Sequence, residues 1–379
     1  MNAIHITPAQ PMPELESLRL EVRDFLGEVQ QSATPVDRAK NWLAGSKRFA
    51  HRLGQRGWIG MSWPRDYGGQ ESSNFERYVV WEECLAAGAH VCSCMPMDRQ
   101  TGPLLLEYAA ESVKRDLLPR MARGEISFCV GMSEPDSGSD LASVRSTARR
   151  TGDGGWILNG RKVWTSVAHE ADFMIGLFRS GADASRHEGL SQFVIDMKTP
   201  GITVRPIRHM QGESHFNECT FDDVRLPPEA LIGREGEGWK QVTRELAYER
   251  SGPERFLSAF QLLREMIGAA DSANERHAVE LGYLVGELIA LREMSLGIAG
   301  MLARGESPAL AAALVKDRGT TFEQKIPEVA HQLFEMDLAD PSSDLAAVMG
   351  FTAQAAPQFS IRGGAREILR GIIAKGMNL

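Results

Sequence analysis

Apolar residues recur at three- and four-residue steps early in the chain, where Leu15, Leu18, Val22, Phe25 and Val29 form one stripe. That spacing predicts an amphipathic helix. Helical character continues through TPVDRAKNWLAGSKRFAHRLGQRGW, stops at the turn-rich SWPRDYGGQE, and resumes over 75–88 and 102–123. Between Ile126 and Gly233 the period changes. GGWILNGRKVWTS, ADFMIGLFRS, LSQFVIDM, ITVRPI and NECTFDDVRLP are short β-branched and aromatic runs separated by Gly, Asp, Asn and Pro. They predict an antiparallel β domain, a barrel or a sandwich, with a hairpin at Asn159-Gly160. From Gly238 onward wide apolar helical faces return, as in a bundle. The expected fold class is α+β, with an N-terminal helical domain at 1–125, a middle β domain at 126–233 and a C-terminal helical bundle at 234–379.

The 379-residue length fits two or three domains. A formal charge of −8 provides no polybasic field for a nucleic-acid backbone. Five cysteines, with no CxxC spacing, read as reduced thiols, and the nine histidines show no HxH or HExxH pattern, so no metal is expected. The start of the chain lacks the basic and apolar regions of a secretory signal, and no apolar run is long enough for a membrane span. The expectation is a cytoplasmic protein.

Three stretches carry candidate chemistry. In CVGMSEPDSGSD an apolar run gives way to hydroxyls, carboxylates and two glycines. Ser133, Gly138 and Ser139 are suited to offer hydroxyls and open backbone N–H groups to a ligand rich in oxygen. A polar turn leaving a strand explains the same residues equally well. In KVWTS, Trp164 is a stacking candidate for a flat cofactor, and Thr165 and Ser166 are hydrogen-bond candidates for its edge. The alternative is a strand with a buried tryptophan. In the helix after Gly238, Val242, Leu246 and Glu249 share one face. An inward carboxylate is costly unless paired or used, which makes Glu249 a general-base candidate. Arg250, its neighbour, is the cation that would otherwise neutralise it.

Taken together, these residues resemble the acyl-CoA dehydrogenase family of flavoproteins. MSEPDSGSD is similar to the family's flavin-binding TEPxAGSD, and VWTS to its later W-x-T/S. FDDVRLPPEALIGREGEGW resembles the passage into the C-terminal domain. RQTGPLL, LLPRMARGE and IRGGAREILRGIIAK match at the two helical ends. The resemblance implies a helical domain, a β-barrel-like middle domain and a C-terminal four-helix bundle. It implies FAD as cofactor, lined by Met132, Ser133, Gly138 and Ser139, flanked by Trp164 and bonded by Thr165 and Ser166. Ser139 also faces the CoA moiety on this reading, Arg250 joins it as a substrate-binding candidate, and Asp140 orients the turn. The implied reaction is α,β-dehydrogenation of an acyl-CoA thioester, an oxidoreductase activity of lipid metabolism, with an electron-transfer flavoprotein as acceptor.

Many members place the base in the C-terminal segment, where this chain has Arg362. A second group places it on the first helix of the C-terminal bundle, at the position of Glu249. The family's RxxFG and QxxGG motifs, which serve a neighbour's FAD, are missing from NERHAVELGYLVG and HQLFEMDLADPSS. The expected assembly is therefore either a homotetramer or a heterotetramer in which a related subunit completes the flavin site. An acyl-CoA oxidase or flavin monooxygenase is the other alternative activity.

Overall fold

A computed structural model describes residues 4–9, 12–181, 186–338 and 342–379, the side chains of 246–249 excepted. In chain order the helices and strands are α1 (Glu16–Val29), α2 (Pro35–Lys40), α3 (Lys47–Gln55), α4 (Asn74–Ala86), α5 (Gly102–Tyr108), α6 (Glu111–Ala122), β1 (Phe128–Gly131), β2 (Thr147–Arg150), β3 (Trp156–Ser166), β4 (Phe173–Arg179), β5 (Leu190–Asp196), β6 (Ile202–Ile207), β7 (Phe216–Leu226), β8 (Leu231–Ile232), α7 (Gly238–Glu249), α8 (Phe260–Ala269), α9 (Glu275–Ala303), α10 (Ala309–Leu333), α11 (Asp344–Phe359) and α12 (Arg366–Gly376). Helices thus precede and follow a continuous run of strands. By contacts the chain divides into two compact units. One holds 1–42, 73–90 and 247–379; the other holds 43–72 and 91–246.

The second unit is built on one eight-stranded sheet in the order β6-β7-β3-β2-β4-β5-β8, with β1 also paired to β4. Every residue of β5 except Asp196 is buried, as is the interior of β4, so the centre of the sheet is covered on both faces. Trp156, Phe178, Phe193 and Phe221 interlock there, mostly edge to face, at centroid distances of 5.0–6.1 Å. Each contributes roughly 2–3 kcal/mol by leaving water.

The sheet corrects two expectations. It is mixed rather than antiparallel: β1 and β2 both run parallel to β4, with Phe128 opposite Phe173 and Thr147 opposite Arg179. Long connections separate these partners in sequence, so no tight turn forces them antiparallel. Second, Asn159-Gly160 is no hairpin. It lies inside β3, where the register with β7 shifts between Leu158 and Gly160. Gly160 has φ +138°, and a Cβ there would fall 2.2 Å from Ser146 Oγ. Asn159 bonds across to Asp223 instead, donating from Nδ2 at 2.9 Å and accepting from the Asp223 N–H at 2.9 Å. The hairpin sits one strand end earlier, between β2 and β3, at Thr151–Gly155. There Asp153 Oδ1 accepts from Thr151 Oγ1 and the Gly155 N–H, and Gly154 turns with φ +87°.

The first unit is helical. On α1, Val22 and Phe25 from the middle of the expected stripe are buried, together with Leu26, which the stripe did not include. Ser73 and Glu76 start α4 with a reciprocal capping box. Helix α10 packs on α9, α11 and α12 and carries buried charge. Lys316 is fully buried and donates to Thr320 Oγ1 at 2.6 Å and to the Phe359 carbonyl at 2.7 Å. All five cysteines are buried, and none forms a disulfide.

Candidate active site

The first candidate stretch leaves β1 and folds on itself. Glu134 and Ser137 exchange backbone hydrogen bonds at 2.8 and 3.1 Å. Ser137 Oγ then donates to the Asp140 carbonyl at 2.7 Å. The Asp140 carboxylate accepts from Ser143 Oγ at 2.6 Å and pairs with Arg186. Its pKa is held below the usual range by Ser143 first and Arg186 beside it. These bonds tie the turn from below. Gly138 and Ser139 stand exposed at its crest, and a Cβ on Gly138 would meet nothing within 4 Å. The chain itself does not require a glycine there, so the crest is open for another molecule to approach.

The second stretch ends β3. The Val163 N–H donates to the Ser133 carbonyl at 2.9 Å, and Lys162 Nζ donates to the Met132 carbonyl at 3.2 Å. The two stretches that sequence singled out separately are thus bonded together. Trp164 is 59% exposed, which excludes the buried-tryptophan alternative. Its φ is +59°, and the ladder with β7 shifts between Lys162 and Thr165. A left-handed tryptophan is strained by roughly 1–3 kcal/mol. Its ring stands edge-on to Phe216 at 6.0 Å and otherwise faces outward. Ser166 is half-buried, whereas Thr165 is only 1% exposed. Thr165 is therefore beneath the surface that Trp164 and Ser166 share.

Under this surface lies a pair that sequence reasoning missed. Lys162, fully buried, places Nζ 2.8 Å from Glu134 Oε1 and 4.9 Å from the Phe178 ring centroid. The Glu134 carboxylate also accepts the N–H groups of Arg145 at 2.7 Å and Ser146 at 2.9 Å. Burial acts to raise the Glu134 pKa. The Lys162 charge and these bonds outweigh it, so the pKa lies below normal. Burial brings Lys162 down to about 8, against the opposing pull of Glu134. The signal was present in the β3 pattern: in alternation with Trp156 and Leu158, Lys162 falls on the inward face.

The third candidate, Glu249, is the last residue of α7, and its side chain lies outside the described residues. One turn earlier Glu245 is 4% exposed and accepts from Gln192 Nε2 at 2.7 Å. Gln241, a turn before that, donates to the Ile232 carbonyl at 2.8 Å. This face of α7 is pinned by amides, and Glu245 is an inward carboxylate that sequence reasoning passed over. Arg250 is buried, and its Nε donates to the Gly363 carbonyl at 3.1 Å. Arg362 Nη2 bonds Glu323 Oε2 at 2.6 Å, Ser258 Oγ at 2.8 Å and the Glu254 carbonyl at 3.0 Å. Its guanidinium lies 4.4 Å from the Trp42 ring centroid. Glu323 is fully buried and also accepts the Ser258 N–H at 2.8 Å.

Among the described residues no group of three His, Cys, Asp or Glu side chains forms a metal cluster. An outward tryptophan on a strained strand end, joined to an open Gly-Ser crest, suits a flat aromatic cofactor with polar edges. The residues present fit FAD.

Comparison with known proteins identifies the family. Residues 12–125 match "Acyl-CoA dehydrogenase, N-terminal domain", and residues 129–224 match "Acyl-CoA dehydrogenase, middle domain". The chain belongs to the acyl-CoA dehydrogenase family, whose members are oxidoreductases. It is similar to acyl-CoA dehydrogenase FadE29 of Mycobacterium tuberculosis, 34% identical over 240 residues, 63% of this chain and 61% of that one. The match therefore spans less than two thirds of that relative's length. Acyl-CoA dehydrogenase IpdE1 of Mycolicibacterium smegmatis is 28% identical over 96% of this chain and 97% of its own. Among solved structures, the ChsE4-ChsE5 complex from Mycobacterium tuberculosis has a chain 27% identical, with a TM-score of 0.84 and coverage of 98% and 99%. A chain of the Tcur3481-Tcur3483 steroid ACAD is 25% identical, with a TM-score of 0.84 and coverage of 98% on both sides.

Proposed function

We propose that this chain binds FAD and catalyses α,β-dehydrogenation of an acyl-CoA thioester. The observation that carries the reading is Trp164: exposed, held at positive φ, and bonded through its strand to the open crest of residues 132–139. A protein does not ordinarily keep a large aromatic ring in water on a strained backbone without a partner for it. When bound, FAD supplies the ring that accepts a hydride and so two electrons.

The chain's own residues do the rest. Trp164 flanks the ring and Ser166 donates to its edge. Met132, Ser133, Gly138 and Ser139 present carbonyls, hydroxyls and an unhindered backbone, with Ser139 also meeting the CoA portion. Thr165 supports the strand from beneath. Glu249 removes the α-proton of the thioester, the hydride departs from the β-carbon, and a carbon–carbon double bond conjugated with the thioester carbonyl results. Arg250 fixes the segment after the base to Gly363.

The test is an anaerobic titration of the purified chain with a panel of acyl-CoA thioesters, fatty, branched, aromatic and steroid-derived. Loss of the flavin's visible absorbance on mixing supports the reading. Absence of bound flavin both in the chain alone and in its complex with a related subunit, or no bleaching by any thioester, refutes it. Admitting air afterwards separates a dehydrogenase from an oxidase, since only the latter reoxidises rapidly.

A second reading concerns assembly. The RxxFG and QxxGG motifs are missing from the sequence, and two structural relatives, Tcur3481-Tcur3483 and ChsE4-ChsE5, bear the names of two different chains. On α9, Val279, Tyr283 and Ile289 are exposed beside Gly282 and Gly286, both open to close approach. These observations favour a heterotetramer with a related subunit over a homotetramer. Mass and flavin stoichiometry of the chain expressed alone decide it: a homotetramer with one tightly held FAD per chain removes the heteromeric reading.

A further inference from the structure

The helical unit of residues 1–42, 73–90 and 247–379 contains a cleft of about 510 Å³ that none of the chemistry above uses. Its wall includes Arg23 and Gly27 on α1, Arg38 on α2, Glu83 on α4, and Phe260 and Arg264 on α8. We propose that this cleft binds a small organic anion, a phosphate or carboxylate group carried on a flat apolar body.

The cleft holds more positive charge than its carboxylates can balance. Glu83 is gripped by Arg19 and by Arg23, whose Nε lies 2.7 Å away. Glu82 beside it takes Arg19 at 2.8 Å and Arg292 at 2.6 Å. These two carboxylates are therefore already met by three guanidinium groups, and they have no charge left for the rest of the cleft. Arg38 and Arg264 make no ion pair among the described residues. Arg38 is half-buried, and its Nε is covered with no hydrogen-bond acceptor. A guanidinium held partly out of water without a counter-charge is unfavourable in the chain alone. The positive excess stands out in a protein whose formal charge is −8, so it is not the local share of a basic surface.

Shape gives the rest of the ligand. The volume lies in the range of roughly 300–1,000 Å³ usual for small-molecule sites. The ring of Phe260 and the bare backbone of Gly27, where a Cβ would meet nothing within 4 Å, leave an apolar surface between the arginines. An arginine fork binds carboxylate or phosphate oxygens two at a time. An ion without an apolar body would leave that surface wet, and an uncharged apolar molecule would leave Arg38 and Arg264 unmatched.

The experiment is calorimetric titration of the full chain with phenyl phosphate, benzoate and inorganic phosphate. One organic probe is expected to bind at a single site, and the tighter of the two identifies the anionic group. Inorganic phosphate should bind at least about tenfold more weakly. The Arg38→Met/Arg264→Met pair should weaken the organic probe about tenfold or more, the loss expected when charge-assisted bonds are removed. Gly27→Phe keeps every charge and fills the cleft; it should weaken binding comparably, and it decides the matter if the arginine pair fails to fold. Failure of both organic probes to bind, binding unchanged in the variants that fold, or inorganic phosphate binding as tightly as the organic probes overturns the proposal.

Discussion

The Lys162 ammonium lies 2.8 Å from the Glu134 carboxylate, and both side chains are buried beneath the strand end that carries Trp164. Glu134 also holds the N–H groups of Arg145 and Ser146, while Lys162 holds the Met132 carbonyl. One ion pair thereby connects β3, the turn after β1 and the start of β2. Its three further bonds repay part of the cost of removing two charges from water.

Lys162→Met should therefore destabilise the protein by about 3–5 kcal/mol, because it leaves a buried carboxylate without its counter-charge. Lys162→Met combined with Glu134→Gln should cost less than the sum of the single changes, by about 1–3 kcal/mol. Urea unfolding of the four proteins measures both quantities. Additive losses would mean that the two groups do not act as a pair.

Trp164→Ala and Ser166→Ala should both weaken flavin retention, the first by loss of stacking and the second by loss of a hydrogen bond worth about 0.5–1.5 kcal/mol. Trp164→Ala should leave folding stability unchanged or slightly raised, since an exposed ring on a left-handed backbone contributes little to the core. Flavin absorbance per chain after dialysis, set beside the urea midpoint, distinguishes the roles. A large stability loss with full flavin content would make Trp164 a structural residue.

The order helices, strands, helices was legible because period and composition change together near Ile126 and Gly238. The stripe on α1 was legible for the same reason. Pairing direction was not, since parallel partners such as Phe128 and Phe173 are joined by long connections that leave no local mark. Asn159-Gly160 carries the composition of a hairpin, yet the glycine is needed for close approach to Ser146, a contact invisible in sequence. In the candidate site, the two motifs were legible, and their direct bond through Val163 and Ser133 was not. Lys162 was readable as an inward lysine; Glu134 as its partner was not. Glu323 on α10, the partner of Arg362 in the turn between α11 and α12, had no local signal either.

His215 gives a pH dependence of known sign. Burial brings its imidazole down to about 4, with His209 acting the same way and the Leu43 backbone opposing. In the unfolded chain the ordinary value is 6.5. Between these values the unfolded state binds the extra proton, so stability falls as pH drops from about 6.5 toward 4. The full difference corresponds to about 3 kcal/mol. Unfolding midpoints at pH 7.5 and pH 5 should differ in the wild type and differ less in His215→Gln. An equal pH slope in both would remove His215 as the source.

Two positions in the chain are candidates for the base. Arg362 occupies the C-terminal one, and it is committed: its guanidinium bonds buried Glu323, Ser258 and the Glu254 carbonyl and lies on the Trp42 ring. Moving a carboxylate there by Arg362→Glu would set it against Glu323, two like charges in a buried site. The variant should lose about 3–5 kcal/mol of stability, as expected for breaking a buried pair, and should gain no turnover. Glu249→Gln should do the opposite. It changes one atom at the end of α7, so folding and flavin content should hold, while turnover at saturating thioester falls by at least about 10², the lower end of a general base's contribution. The two variants thus separate by readout: stability without turnover for Glu249→Gln, and loss of stability for Arg362→Glu. A double variant, Glu249→Gln with Arg362→Glu, addresses the remaining possibility that the C-terminal position can take over the proton. Near-normal turnover in Glu249→Gln alone would remove Glu249 as the base; turnover restored only in the double variant would show that a carboxylate at the C-terminal position can replace it.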